Sequence, residues 1–148
     1  MKLSTKGRYG LRAMLDLAVH SQGAHVPINL IAERQDMSVS YLEHLFSLLK
    51  KSGLVRSVKG AQGGYMLGRP ADRMQVGDVL RALEGNLALV EDAPDNTPAP
   101  DALSRCIRTM VWDAVDLRIN RLVDSITLEE LAEEKRALDG LVEPMYHI

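Results

Sequence analysis

Between positions 38 and 53 the chain lines up Ser40, Glu43 or His44, Ser47 and Lys51 at three- and four-residue intervals. On a helix that spacing makes one face of short polar side chains able to donate and accept hydrogen bonds. Such a face suits the major groove of DNA, which admits one α-helix and displays a distinct donor and acceptor pattern for each base pair. A few residues further on, Lys59-Gly60-Ala61-Gln62-Gly63-Gly64 joins two short apolar runs. Lys59 and Gln62 in that loop are placed to reach a phosphate or the minor groove, and its three glycines permit positive φ and a tight projecting turn. Lys2, Lys6 and Arg8 at the N-terminus add cations for phosphate contacts, which position a protein on DNA without specifying sequence. Glu43 on the polar face opposes phosphate but can accept a hydrogen bond from cytosine N4, a discrimination of about 1–3 kcal/mol per good contact.

The other reactive side chains point to no catalysis. His20, His25, His44 and His147 have no metal-ligand spacing, and H-E-x-x-H, G-x-S-x-G and G-x-x-x-x-G-K are all missing from the 148 residues. The glycine cluster at 60–64 follows a strand but precedes another strand, so it is not a phosphate-cradling loop before a helix. One cysteine, Cys106, cannot form an internal disulfide. Arg105 and Arg108 beside it favour a thiolate and a redox role. The competing reading is a small buried apolar residue, free Cys being among the most buried types.

The elements that must hold these groups follow from periodicity. A first helix spans 4–20 with Leu11, Met14, Leu15 and Ala18 on one face, weakened locally by Gly7 and Gly10. A short helix at 28–34 turns Ile28, Ile31 and Ala32 inward, and a turn follows at 35–37. A third helix starts at Ser38 or Ser40, the latter fitting a capping box with Glu43. It buries Leu42, Leu45, Phe46 and Leu49 and stops at Gly53 after Lys50 and Lys51. Strands at 54–58 and 65–67 make a hairpin. A fourth helix after Gln75 directs Val76, Val79, Leu80 and Leu83 inward and ends at Gly85. The order is that of a mainly α winged helix-turn-helix with a small β-hairpin wing.

Residues 86–101, rich in Asp92, Asp95, Asp101, Pro94, Pro98 and Pro100, read as an acidic loop. A long helix over 101–126 follows. It carries one apolar stripe of Leu103, Ile107, Met110, Ala114 and Leu117 and a second of Val111, Val115, Leu122 and Ile126. At roughly 37 Å it exceeds what so small a domain covers, so one stripe is expected on its own domain and the other on a partner chain. Thr127-Leu128-Glu129-Glu130 caps a last helix to 138, before the tail Met145-Tyr146-His147-Ile148. The expected division is a DNA-binding domain at 1–85, the loop at 86–101, and a dimerisation helix with its C-terminal helix and tail at 102–148.

A formal charge of −2 by itself argues against a polyanion partner. It conceals a split: residues 1–69 hold ten Lys/Arg against four Asp/Glu, and residues 70–148 hold eight against sixteen. The front half is a polyanion-binding module and the back half something else. With 46% hydrophobic residues the chain affords a folded core. No apolar run approaches the roughly 18 residues of a membrane span, and no signal segment follows Met1-Lys2-Leu3-Ser4-Thr5-Lys6. The expected location is the cytoplasm, with no membrane contact.

Leu3-Ser4-Thr5-Lys6-Gly7-Arg8-Tyr9-Gly10, Ser40-Tyr41-Leu42-Glu43-His44-Leu45, Gly53-Leu54-Val55 and 60–68 (GAQGGYMLG) resemble the Rrf2 family of bacterial winged-helix regulators. The resemblance continues through Val76-Gly77-Asp78-Val79 and 126–131 (ITLEEL). It implies a homodimeric transcription regulator, a repressor, whose long helix crosses its partner and which binds a dyad-related operator on double-stranded DNA. It also places Ser38, Ser40, Tyr41 and Glu43 at the major groove and Lys59 in the wing. Many members hold an iron–sulfur cluster on three cysteines. Here Cys106 matches only the third, Thr109 stands at a position where relatives often offer His, and Arg8 and Arg12 stand where some offer ligands. The expectation is therefore no cluster and no cofactor. Cluster-free members that repress cysteine metabolism end in a similar aromatic-Ile tail and take cysteine synthase as corepressor. That likeness implies cysteine or sulfur metabolism as the target and a docking role for Tyr146 and the Ile148 carboxylate.

Overall fold

Helix α1 (Thr5–His20) is the element on which most of the others pack: α2 (Ile28–Gln35), α3 (Val39–Lys51), strand β2 (Gly64–Leu67), α4 (Val76–Glu84) and α7 (Leu128–Val142) all touch it. The computed structural model describes residues 2–94 and 96–142. Surrounded in this way, α1 buries Ala13, Met14 and Leu17, a stripe turned about one residue from the expected Leu11, Met14, Leu15 and Ala18. Gly7 and Gly10 are buried with them, and their role is steric. A Cβ on Gly10 would collide with the Leu83 side chain of α4, and one on Gly7 with the Glu84 carboxylate. The cost in helix propensity is offset by a close α1–α4 approach.

That approach carries a cap. Glu84 Oε1 accepts hydrogen bonds from the backbone N–H of Ser4 at 3.1 Å, from that of Gly7 at 2.8 Å, and from the Ser4 hydroxyl. The end of α4 thus satisfies free N–H groups at the start of α1, where the helix dipole also favours a negative charge. The Ser4 hydroxyl and these N–H groups hold the Glu84 carboxyl below the ordinary glutamate range. A second polar clamp joins α1 to α2. Asp16, its side chain 1% exposed, accepts from Arg34 Nε at 2.9 Å, Arg34 Nη2 at 2.7 Å and Gln35 Nε2 at 2.8 Å. Burial by itself raises its pKa, but the bonds from Arg34 and Gln35 prevail and hold the carboxyl below its ordinary value.

After α2 the chain turns through Asp36 in the left-handed region, φ 53°, and enters α3. The cap is Ser38, whose hydroxyl accepts from the Tyr41 N–H at 3.1 Å. The Ser40 capping box therefore does not form, because Ser40 is already inside the helix. Leu42, Leu45, Phe46 and Leu49 are buried as their spacing predicts. Strand β1 (Val55–Val58) pairs antiparallel with β2, Val55 opposite Leu67 and Val58 opposite Gly64. Of the loop glycines only Gly60 has positive φ, 110°. Gly64 is needed for space instead, since a Cβ there would strike the Val26 carbonyl. That carbonyl accepts from Tyr65 N at 2.9 Å and Val26 N donates back to Tyr65 O at 2.8 Å, so the hairpin is stitched to the segment before α2.

A 3₁₀ turn (Ala71–Arg73) leads to α4, which buries Val76, Val79, Leu80 and Leu83 as expected. The described part of 86–101 holds no helix or strand, though Leu87 is buried against Val76 and Leu80. The long helix is one rod: α5 (Ala102–Ile107), a π turn (Arg108–Trp112) and α6 (Asp113–Val123), with right-handed helical backbone at both junctions. A π turn is a one-residue slip in the hydrogen-bond ladder. No residue of the rod is buried. The first stripe is exposed throughout, and the second is half-covered at Val115 and Ile126 but exposed at Val111 and Leu122. The expectation of one fully packed stripe is therefore not met on this chain, and the helix ends at Val123 rather than at 126.

There Arg81 donates to Asp124 Oδ1 at 2.7 Å, Asp124 Oδ2 at 2.8 Å and Asn120 Oδ1 at 2.6 Å. This planar fork on α4 fixes the end of the rod. The Thr127 hydroxyl accepts from Glu130 N at 3.1 Å and starts α7, which runs to Val142 rather than 138. Leu128 and Ala132 are buried in the core beside α1.

Replacing Glu84 by Gln removes a charge-assisted cap and should lower stability at neutral pH by about 1–2 kcal/mol, a half-exposed site discounting the usual value. Because the folded carboxyl titrates below its ordinary 4.5, its contribution is present above that pH and disappears as pH falls through the folded pKa. Urea melts of the two proteins at pH 7 and pH 3 check this: the gap in midpoint should shrink in acid.

Candidate nucleic-acid interface

Burial of four α3 side chains leaves the opposite face in solvent. Ser38, Ser40, Glu43, His44, Ser47 and Lys51 are all exposed, so the predicted polar face exists. Tyr41 differs from the rest. It is half-buried, its ring stands edge-on to Tyr9 with centroids 6.2 Å apart, and its hydroxyl donates to Thr5 Oγ1 at 3.4 Å. Tyr41 braces the start of α3 on the start of α1. Of the N-terminal cations, Lys2 and Arg8 are exposed and Lys6 is half-buried.

At the other end of α3, Lys50 Nζ donates to Ser57 Oγ on β1 at 2.7 Å. Sequence reasoning read Lys50 only as a favourable charge at a helix C-terminus and did not name Ser57. The alternation of β1 was the available signal, since it turns Ser57 to the face opposite Arg56. Beyond this strut the loop projects, with Lys59, Gly60, Ala61 and Gln62 exposed. A groove of about 570 Å³ lies between Pro27, Asn29, Lys50 and the loop. Phe46 packs on Tyr65 with ring centroids 4.6 Å apart, so the wing is fixed to α3 by a ring contact and by a hydrogen bond. Burial, and secondarily the Glu43 charge, push the Tyr65 phenol above its ordinary pKa.

Three groups lie elsewhere. Cys106 is exposed on α5, which corrects the expectation of a buried apolar cysteine; the rod it sits on stands clear of the domain. Tyr146 and Ile148 lie outside the described residues. The polar clamps at Asp16 and Arg81 were not anticipated, because charges paired across helices leave no mark in linear spacing.

The chain matches the family model Rrf2, described as iron-dependent transcriptional regulator, over residues 3–134. It is 44% identical over 140 residues to the HTH-type transcriptional regulator IscR of Xenorhabdus nematophila, covering 94% of this chain and 84% of that one. The regulator of the same name from Pectobacterium carotovorum is 43% identical over the same shares. Among solved structures, CymR, the global cysteine regulator of B. subtilis, superposes with a TM-score of 0.75 at 39% identity, covering 90% of this chain and 98% of that chain. T. potens IscR does so with 0.71 at 42% identity, covering 91% and 88%.

The iron dependence in the family description calls for a donor set, and the residues present do not fit an iron–sulfur cluster. Clusters are held by four ligands, mostly thiolates. Cys106 is the one cysteine of the sequence, and among the described residues no three His, Cys, Asp or Glu side chains converge. What the matches and the helix-turn-helix with its wing do establish is that the chain belongs to the Rrf2 family of transcriptional regulators.

Proposed function

We propose that the chain is a homodimeric, sequence-specific regulator of double-stranded DNA that acts as a repressor in the cytoplasm without an iron–sulfur cluster. The observation that carries the reading is the exposed polar face of α3, locked by Lys50 and Ser57 to a projecting basic loop. Ser38, Ser40, Glu43 and His44 read base edges, Tyr41 orients them, and Lys59, Gln62, Lys2, Lys6 and Arg8 hold phosphates. Residues 1–85 supply this surface and 102–148 the dimer contact. The rod supports the dimer, since Leu103 is 71% and Met110 72% exposed, and so long an apolar stripe calls for a second copy. No helix of the described residues is long and apolar enough to cross a membrane.

The target pathway is cysteine or sulfur metabolism. Likeness to a structure named a cysteine regulator supports it, as does the single thiol, which leaves too few ligands for a cluster. Under this reading cysteine synthase docks at Tyr146 and Ile148. A second reading, a thiol redox switch at Cys106, is favoured by its exposure beside Arg105.

Selection of bound fragments from genomic DNA should return a dyad-symmetric site beside sulfur-assimilation genes, with two chains per site by light scattering. Unselective recovery of fragments would refute base readout, and sites beside unrelated genes would refute the pathway. Protein purified anaerobically should contain no stoichiometric iron or acid-labile sulfide. Lys59→Ala should weaken cognate and random DNA alike and reduce the salt slope by about 1. Lys50→Met should weaken cognate DNA more than random DNA, because it removes the bond that fixes β1 to α3; binding of each variant to both DNAs separates the two effects.

A further inference from the structure

Between α1, α2 and α7 lies an open cleft of about 500 Å³ lined by Arg12, Leu15, Asp16, His20, Arg34, Gln35 and Lys135. Its charge does not cancel. The buried Asp16 carboxylate is saturated by Arg34 and Gln35, so Asp16 and Arg34 form a neutral floor. The exposed Arg12 has no hydrogen-bond or ion-pair partner among the described residues. Among the described residues the Lys135 ammonium pairs with Asp139, at 2.6 Å, in a solvent-exposed pair of the kind that contributes little and is readily exchanged. His20 commits Nδ1 to Asp16, 2.9 Å from its carbonyl and 3.4 Å from its carboxylate, which leaves Nε2 as a further polar group. Half-buried Leu15 supplies an apolar wall between the cations.

A small-ligand site needs a concave surface, an apolar wall and a few polar groups that fix orientation, and Leu15 with the unpaired Arg12 and the loosely paired Lys135 supplies the last two. We infer that this cleft binds a small organic carboxylate, its anionic group between Arg12 and Lys135 and its aliphatic body on Leu15. The floor is fixed before the ligand arrives, because Asp16 and Arg34 are already locked. The ligand therefore closes only the gap between α1 and α7 and does not compete for the buried pair.

Calorimetric titration of the full-length protein tests this with three probes at matched ionic strength: 3-methylbutanoate, acetate and inorganic phosphate. One 3-methylbutanoate should bind per chain, at least tenfold tighter than acetate, since the longer body adds apolar contact with Leu15. The double variant Arg12→Gln, Lys135→Gln should lose at least tenfold of that affinity while its thermal melt in plain buffer stays unchanged, because both residues lie outside the Asp16 clamp. Equal affinity for 3-methylbutanoate and acetate, phosphate binding as tightly as either, or undiminished binding by the double variant would each overturn the assignment.

Discussion

The close seating of α4 on α1 governs the rest of the molecule. Gly7 and Gly10 have no side chain to hold the helices apart, so Leu83 fills one space and Glu84 the other. The carboxylate then binds N–H groups at the start of α1 that would otherwise face a neighbouring helix unsatisfied. With α1 fixed, α3 has a wall for its four apolar side chains, and Tyr41 reaches Tyr9 and Thr5. The polar face of α3 is thus directed outward by a contact on the far side of the same core. A side chain at position 10 would drive the Leu83 side chain of α4 out of its place in the core.

The acidic second half is not an appendage to the basic first half. Arg81 of α4 holds Asp124 and Asn120, Asp116 accepts the Leu89 N–H at 2.8 Å, and α7 returns to bury Leu128 in the shared core. Two backbone bonds tie the same region together, Val76 N to Ile126 O at 2.8 Å and Leu128 N to Met74 O at 2.9 Å. The charge split visible along the chain therefore coexists with one continuous core. It distributes sign over the surface, basic around the α3–wing face and acidic along the loop and α7.

Periodicity made much of this legible. The inner faces of α3 and α4 could be read because each helix packs on one side, where apolar residues recur at the helical period. The inner face of α1 was only partly legible, Met14 buried and Leu11 and Ala18 packed on the core, because neighbours surround the helix and glycines at close approaches carry no hydrophobic signal. The start of α3 stayed open between Ser38 and Ser40 because both are acceptable caps, and only the extended backbone at Ser38, φ −68° and ψ 145°, decides for Ser38. The buried reading of Cys106 rested on residue type alone, whereas among the described residues the rod that carries it has no buried side chain. The strut from Lys50 to Ser57 and the Asp16 and Arg81 clamps join residues far apart in sequence or on different elements, and no linear pattern marks them.

The rod formed by α5, the π turn and α6 is a cantilever. It is anchored where Asp116, Asn120 and Asp124 meet the loop and α4, and among the described residues its first half is tied to the chain only by an exposed Arg108–Asp92 ion pair at 3.7 Å. The free length from residue 102 to residue 115 is roughly 20 Å at 1.5 Å per residue. A tilt of about 5° at the anchor then carries the tip through nearly 2 Å at that rise per residue, about half the width of a methyl group. Displacements too small to disturb the Arg81 fork are thereby magnified at the exposed leucines, and the geometry of whatever the tip meets is set by a few hydrogen bonds at the root.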